Sequence, residues 1–244
     1  MRALSRELYS KPAAGKIRFG VQPSTVSLRI REPGSALTHV AALILMLTGA
    51  GPLLMRARLA GSGLTVASML IFVLGCCALY LASTVYHTVV LSEEKTRIFK
   101  KLDHMMIPIM IAGTYTPVCL LALRGRAGVG LLIGIWSMAL LAILLKALWI
   151  TCPKWVSSVL YLAMGWLCVL AMPRILAALP RPAFGWLLAG GLLYSAGALI
   201  YASKPRAFDA AHPYFGSHEI FHVFIMAGTF CHYMLMFRFL AYLP

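Results

Sequence analysis

The chain is predicted to be an all-α membrane protein, a seven-transmembrane-helix bundle with its N-terminus in the cytoplasm and its C-terminus outside. Three observations predict this. The 244 residues are 61% hydrophobic and only 12% charged, with mean hydropathy +0.84; a soluble domain is nearer half apolar and one quarter charged. The apolar residues fall into seven runs, each near the roughly 20 residues a membrane helix needs. The runs are continuous rather than alternating, which disfavours a β-barrel.

Taken in order, the first span is read as 34–55, closed by Arg56-Ala57-Arg58. The second, 63–91, is followed by the charged run Ser92 to Lys101. The third, 104–123, opens at Asp103 and closes at Arg124-Gly125-Arg126. The fourth, 127–149, meets Cys152-Pro153-Lys154, and the fifth, 155–178, meets Pro180-Arg181-Pro182. The sixth, 183–202, ends before Lys204-Pro205-Arg206, and the seventh is 217–242. Proline, glycine and clustered charge at these joints favour turns.

The formal net charge of +15 comes from Lys and Arg in an N-terminal arm and in the joints, not from a nucleic-acid-binding motif. Basic residues flanking apolar runs set topology and contact anionic lipid; nucleic acid is not expected as a partner. Fifteen of the 22 Lys and Arg fall on the side of the N-terminus and seven on the other. By the positive-inside rule the N-terminal side is cytoplasmic. Residues 1–31 form a basic arm without the apolar stretch of a signal peptide, and 32–244 form one membrane domain. The six cysteines include no CxxC pair, so neither a disulfide framework nor a thiolate metal site is expected.

Three short pieces carry the polar chemistry: Ser83-Thr84-Val85-Tyr86-His87, Asp103, and His218-Glu219-Ile220-Phe221-His222. Ionisable groups at membrane depth are expensive and mark functional sites by default. With alternating span directions, all five groups fall at the cytoplasmic end. His218 and His222 share one helical face, a metal-ligand spacing. His87 supplies a third imidazole from a facing helix, matching catalytic zinc sites that keep one position open; iron, cobalt and manganese remain alternatives. Such a metal acidifies water. Asp103 is then the proton acceptor, and Ser83 stabilises a developing oxyanion or orients the water.

Other polar residues receive plainer readings. His39, His104 and His232 are taken as interhelical hydrogen bonders, and Glu219 as a helix-start acid. Glu93, Glu94 and Asp209 are read as solvated loop charges. Glu32 is either a helix-start carboxylate or a group near the metal. Gly113-Thr114-Tyr115-Thr116-Pro117 and Gly190-Gly191 are read as close-packing and kink sites.

These residues resemble the hemolysin III family, the bacterial branch of the progestin and adipoQ receptor group. The matching text is Ser83-Thr-Val-Tyr-His87, Lys101-Leu-Asp103-His104, Ala112-Gly-Thr-Tyr-Thr-Pro117, Gly165-Trp166-Leu167 and Leu188 to His232. It covers about residues 30–244; residues 1–29 lie outside it. At the start of the first span Ser35 stands where the family carries Asn, between Glu32 and Thr38-His39. The resemblance implies kinship with alkaline ceramidases, which share Ser-x3-His, Asp and His-x3-His. It further implies zinc at His87, His218 and His222, with Asp103 and Ser83 at the water.

The leading expectation is a zinc-dependent hydrolase of lipid amides or esters, serving lipid homeostasis in a bacterial inner membrane. Its partners would be membrane lipids and a lipid-like substrate. The alternatives are a haemolytic or cytolytic protein of hemolysin III type, and a membrane-state sensor or receptor with structural zinc.

Overall fold

The structure is a computed structural model that describes residues 30–60, 62–149, 151–203, 206–212 and 214–243. Regular structure among the described residues is all helical, and seven segments are long and apolar enough to cross a membrane. The expected seven-helix architecture is therefore the observed one. The basic arm, read as 1–31, lies outside the described residues except for Ile30 and Arg31.

Helix α1 is Pro33–Ala60. Proline suits a first helical position because its missing N–H has no intrahelical partner there. Helix α2, Gly63–Thr88, starts from Ser62. The Ser62 hydroxyl accepts the Thr65 N–H at 3.4 Å, and Thr65 Oγ1 accepts the Ser62 N–H at 3.3 Å. This reciprocal pair satisfies two donors that a helix start leaves free.

Helix α3, Glu93–Pro117, corrects the reading of the second joint, because most of the run Ser92 to Lys101 is helical. Glu93 and Glu94 occupy its first turn, where carboxylates complement the helix dipole. They are helix-start acids, not loop charges. Charge keeps this turn out of the bilayer core but not out of a helix, since Lys, Arg and Glu are good helix formers. Asp103 thus lies well inside α3 rather than at its start. Arg56 and Arg58 likewise continue α1.

Pro117 has no N–H for the Gly113 carbonyl, and the helix runs on as a π-turn over Val118–Leu123. Arg124 and Gly125 then adopt φ of 41° and 60°, turning the chain into α4, Gly125–Leu148. The fifth span is interrupted: α5, Lys154–Trp166, passes through a 3-10 turn at Leu167–Ala171 into α6, Met172–Ala178. Backbone groups freed at membrane depth need partners, and Tyr115 supplies them. Its hydroxyl lies 2.9 Å from the Met164 carbonyl and 2.6 Å from that of Gly165, and accepts the Cys168 N–H at 3.1 Å. The Gly113–Pro117 run therefore does more than pack closely.

Helices α7 (Arg181–Ser203), α8 (Arg206–Ala211) and α9 (Ser217–Arg238) complete the bundle. Asp209, on α8, is not a solvated loop charge. It accepts from Ser217 N at 2.7 Å and Ser217 Oγ at 2.9 Å, satisfying a donor at the start of α9.

Small residues bring helix backbones together. A Cβ on Gly113 would stand 3.1 Å from the Ile71 carbonyl oxygen, and one on Gly228 would stand 3.1 Å from that of Gly190. These contacts join α2 to α3 and α7 to α9. Phe72, Tyr80 and Leu235 are buried between helices, whereas Leu141 and Leu170 are 64% and 80% exposed on the outside, as suits a lipid-facing surface. Lys101 Nζ donates to the Ala147 carbonyl at 2.7 Å, tying the first part of α3 to the end of α4. The starts of α1, α3 and α9 and the ends of α2 and α4 thus gather at one end of the bundle.

Candidate metal centre

Two backbone hydrogen bonds hold the entry to α1 against the end of α2. Glu32 N donates to the His87 carbonyl at 2.9 Å, and Arg31 N to that of Thr88 at 3.3 Å. They set the Glu32 carboxylate on His87 Nδ1. His218 and His222, one turn apart on α9, face the same point. Ligand atoms of His87, His218 and His222 all lie within 4.8 Å of one another, and the Nε2 atoms of His87 and His218 are 3.4 Å apart. His87 and His222 are buried. The structure brings together three histidines whose first and second members are 131 positions apart.

Hydrogen bonding fixes two of the rings. An ionised carboxylate only accepts, so His87 Nδ1 carries the proton given to Glu32, and its Nε2 lone pair is left for the centre. Thr38 Oγ1 gives its one proton to the Ser35 carbonyl at 2.8 Å, so it accepts from His222 Nδ1 at 2.9 Å. The His222 Nε2 lone pair is likewise free. Metal-binding histidines are commonly oriented in this way by a second partner. The hydrogen bond to His87 holds the Glu32 carboxyl below its ordinary pKa; burial opposes this, and the charge of Arg31 assists it. Arg31 Nη2 is 3.4 Å from Glu32 Oε1, and the guanidinium lies 3.8 Å from the Tyr86 ring centroid.

Ser83 and Asp103 line a cavity of about 490 Å³ that also reaches His218 and His222. Its walls are mostly apolar and include Ile107, Met110, Leu187 and Ile225. Ser83 Oγ is buried and has no hydrogen-bond partner among the described residues. Asp103 is buried, with a carboxylate oxygen 3.3 Å from His104 Nδ1.

Several residues behave differently from their sequence reading. His104 makes a side-chain hydrogen bond within its own helix rather than between helices, from Nδ1 to the Lys100 carbonyl at 2.9 Å. His39 and His232 make none: both ring nitrogens of each lack a partner among the described residues. His39 instead stacks on His222, with centroids 3.6 Å apart and planes at 9°. Glu219 keeps its helix-start role, accepting from Gly216 N at 2.8 Å, and its other oxygen takes the Ser35 hydroxyl. Serine at position 35 therefore still connects α1 to α9. The sequence alone assigns Thr38 no role. The available signal was its place beside His39, one turn from Ser35.

The donor set fits a borderline transition metal such as zinc. It offers three convergent imidazoles, two with the tautomer fixed from behind, and a buried hydroxyl without a partner nearby on α2.

The profile of the haemolysin-III-related family matches residues 28–233. A hemolysin-3 homolog from Bacillus subtilis (strain 168) is 35% identical over 199 residues, covering 81% of this chain and 89% of the relative. Hemolysin-3 from Bacillus cereus is 33% identical over 198 residues, covering 81% and 86%. The human monocyte to macrophage differentiation factor is 28% identical over 176 residues, covering 70% and 69%. With seven apolar helices and these relatives, the chain is an integral multi-pass membrane protein of the haemolysin III family, related to the progestin and adipoQ receptor group.

Proposed function

We propose that the protein is a zinc-dependent hydrolase of lipid amides or esters, acting from the cytoplasmic end of a bacterial inner membrane in lipid homeostasis. One observation carries this reading: three convergent imidazoles, two of them oriented from behind, lie beside an apolar cavity large enough for an acyl chain, whose lining includes His218, His222, a buried carboxylate and an unpartnered hydroxyl. The excess of Lys and Arg on the N-terminal side supports the orientation. Zinc held by His87, His218 and His222 would supply Lewis acidity and a water acidic enough to attack at neutral pH.

The chain's own groups divide the remaining work. The cavity holds the acyl chain and excludes bulk water. Asp103 takes the proton of the attacking water and returns it to the leaving nitrogen or oxygen as the acyl bond breaks. Ser83 donates its hydroxyl proton in a hydrogen bond to the developing oxyanion. Glu32 and Thr38 keep the His87 and His222 rings in place. The products are a fatty acid and the freed amine or alcohol.

The test is release of fatty acid from ceramide and from glycerolipid by metal-replete protein, compared with Asp103→Asn. A rate that falls at least about 100-fold in the variant supports the reading. Absence of turnover on every acyl lipid, with metal bound and a related ceramidase active in the same assay, would sink it.

A structural-zinc sensor is the second reading, favoured by the way the centre staples the start of α1 to α2 and α9. There His222→Ala would lower thermal stability with no hydrolysis to lose. The names of the two Bacillus relatives raise a lytic reading. Liposome leakage that persists without the three histidines would support it.

A further inference from the structure

Lys146 lies near the end of α4, where a lysine usually reaches out toward the headgroups. Here it turns inward and is only 2% exposed. Its ammonium donates to Cys152 Sγ at 3.0 Å and to Ser157 Oγ. An ammonium has three donors, so one is left over. Glu7 is the only one of the seven acidic residues outside the described ones, and among the rest no carboxylate oxygen lies within 4.0 Å of this ammonium. Lys146, Cys152, Ser157 and Ser158 all line the cavity that reaches the histidines. The one carboxylate on that lining, Asp103, lies beside His104 and forms no ion pair with Lys146.

A buried cation with only neutral neighbours is costly. The cost falls if the cavity's occupant carries the counter-charge. We propose that Lys146, with Ser157, forms an anion-binding subsite for the acidic group of an amphiphile whose chain occupies the apolar cavity. This deepens the hydrolase reading and rests on it for the word substrate: the preferred lipid has a carboxylate or phosphate in its headgroup. The subsite and the histidines lie toward the same end of the bundle, since α4 ends where α9 begins. One headgroup can therefore meet both while its chain extends into the cavity.

A Cys152 thiolate is the competing counter-charge. Burial pushes this thiol up, but hydrogen bonds from Lys146 and Ser157 pull harder, leaving it below its ordinary pKa. The test must separate the two.

The experiment is binding of palmitate and of methyl palmitate to the purified full chain in neutral detergent. It compares wild type with Lys146→Met, Lys146→Arg, Cys152→Ser and His218→Ala/His222→Ala. Wild type should prefer the acid by at least about tenfold, the size of one charged hydrogen bond. Lys146→Met should lose that preference while still binding the ester. Lys146→Arg, Cys152→Ser and the double histidine variant should keep it. Equal affinities in wild type overturn the proposal without needing any variant to fold. So does a preference that survives Lys146→Met but disappears with the histidines, which would move the anion to the metal centre. A preference that strengthens about tenfold in Cys152→Ser would make the thiolate the counter-ion, with the same result. Inorganic phosphate displacing palmitate would assign the subsite to a free anion and overturn the lipid assignment. No arm requires turnover, so retained preference without hydrolysis would remove the hydrolase reading alone.

Discussion

Both ends of the cavity carry buried histidine on α9, and the rings are held in opposite ways. At one end His222 is oriented by Thr38, across from His87 on Glu32, and both present a lone pair to a common point. At the other end His232 lies about 15 Å farther along the helix, at 1.5 Å rise per residue. The hydroxyls near it satisfy one another: Tyr80 donates to Thr229 Oγ1 at 2.6 Å, and Tyr194 lies 2.9 Å from the same atom. His232 shares none of this. It stacks on Tyr194 with centroids 5.2 Å apart, and neither ring nitrogen has a partner among the described residues. His87 and His222 are thus marked as ligand candidates by the partners that fix their tautomers, and His232, with nothing behind it, as packing material.

Metal content measured by mass spectrometry on purified protein gives the largest contrast. His218→Ala/His222→Ala should abolish stoichiometric metal, whereas His232→Phe should leave it unchanged. Equal loss from both would erase the distinction. The next effect sharpens it. Glu32→Gln and Thr38→Val leave every ligand in place and should each weaken metal affinity by about 10–100-fold, read by competition with a chelator. Affinity unchanged in both would mean that the partners behind the rings do not organise the centre.

Gly190→Ala should act on the deep end alone. A Cβ there would run into the His232 ring, and overpacking of this kind costs about 1–3 kcal/mol. Unfolding in mixed micelles should show that loss with metal affinity intact. Stability like that of wild type would show that the ring can move aside.

The span count was legible because bilayer thickness is a strong constraint read directly from apolar run length. The start of α3 was not, because charge signals exclusion from lipid, which is not exclusion from a helix. The five site residues could be brought to one end of the bundle by counting alternating spans and locating them near span ends. Their partners could not. Glu32 reaches His87 only because the chain before α1 hydrogen-bonds to the end of α2, and no local spacing encodes that contact. Tyr115 is a similar case, since its role depends on the break after Trp166 in another span. Lys146 reads in the sequence only as one of the fifteen basic residues on the N-terminal side, because a sequence does not show whether a lysine near a helix end turns outward or inward.

The smallest expected effect is the one most particular to the deep end. His232→Phe replaces one planar ring with another and removes two nitrogens that make no hydrogen bond among the described residues. Replacing an unpartnered buried polar group with an apolar one of similar shape can be neutral or stabilising. Unfolding in mixed micelles should therefore place this variant within about 1 kcal/mol of wild type. The same exchange at His222 would discard a fixed tautomer and leave Thr38 facing an apolar ring, so it should lose metal as well as stability. If His232→Phe instead costs about 3 kcal/mol or more, beyond what one lost neutral hydrogen bond explains, the ring at 232 has a polar role. The two ends of the cavity would then differ in degree and not in kind.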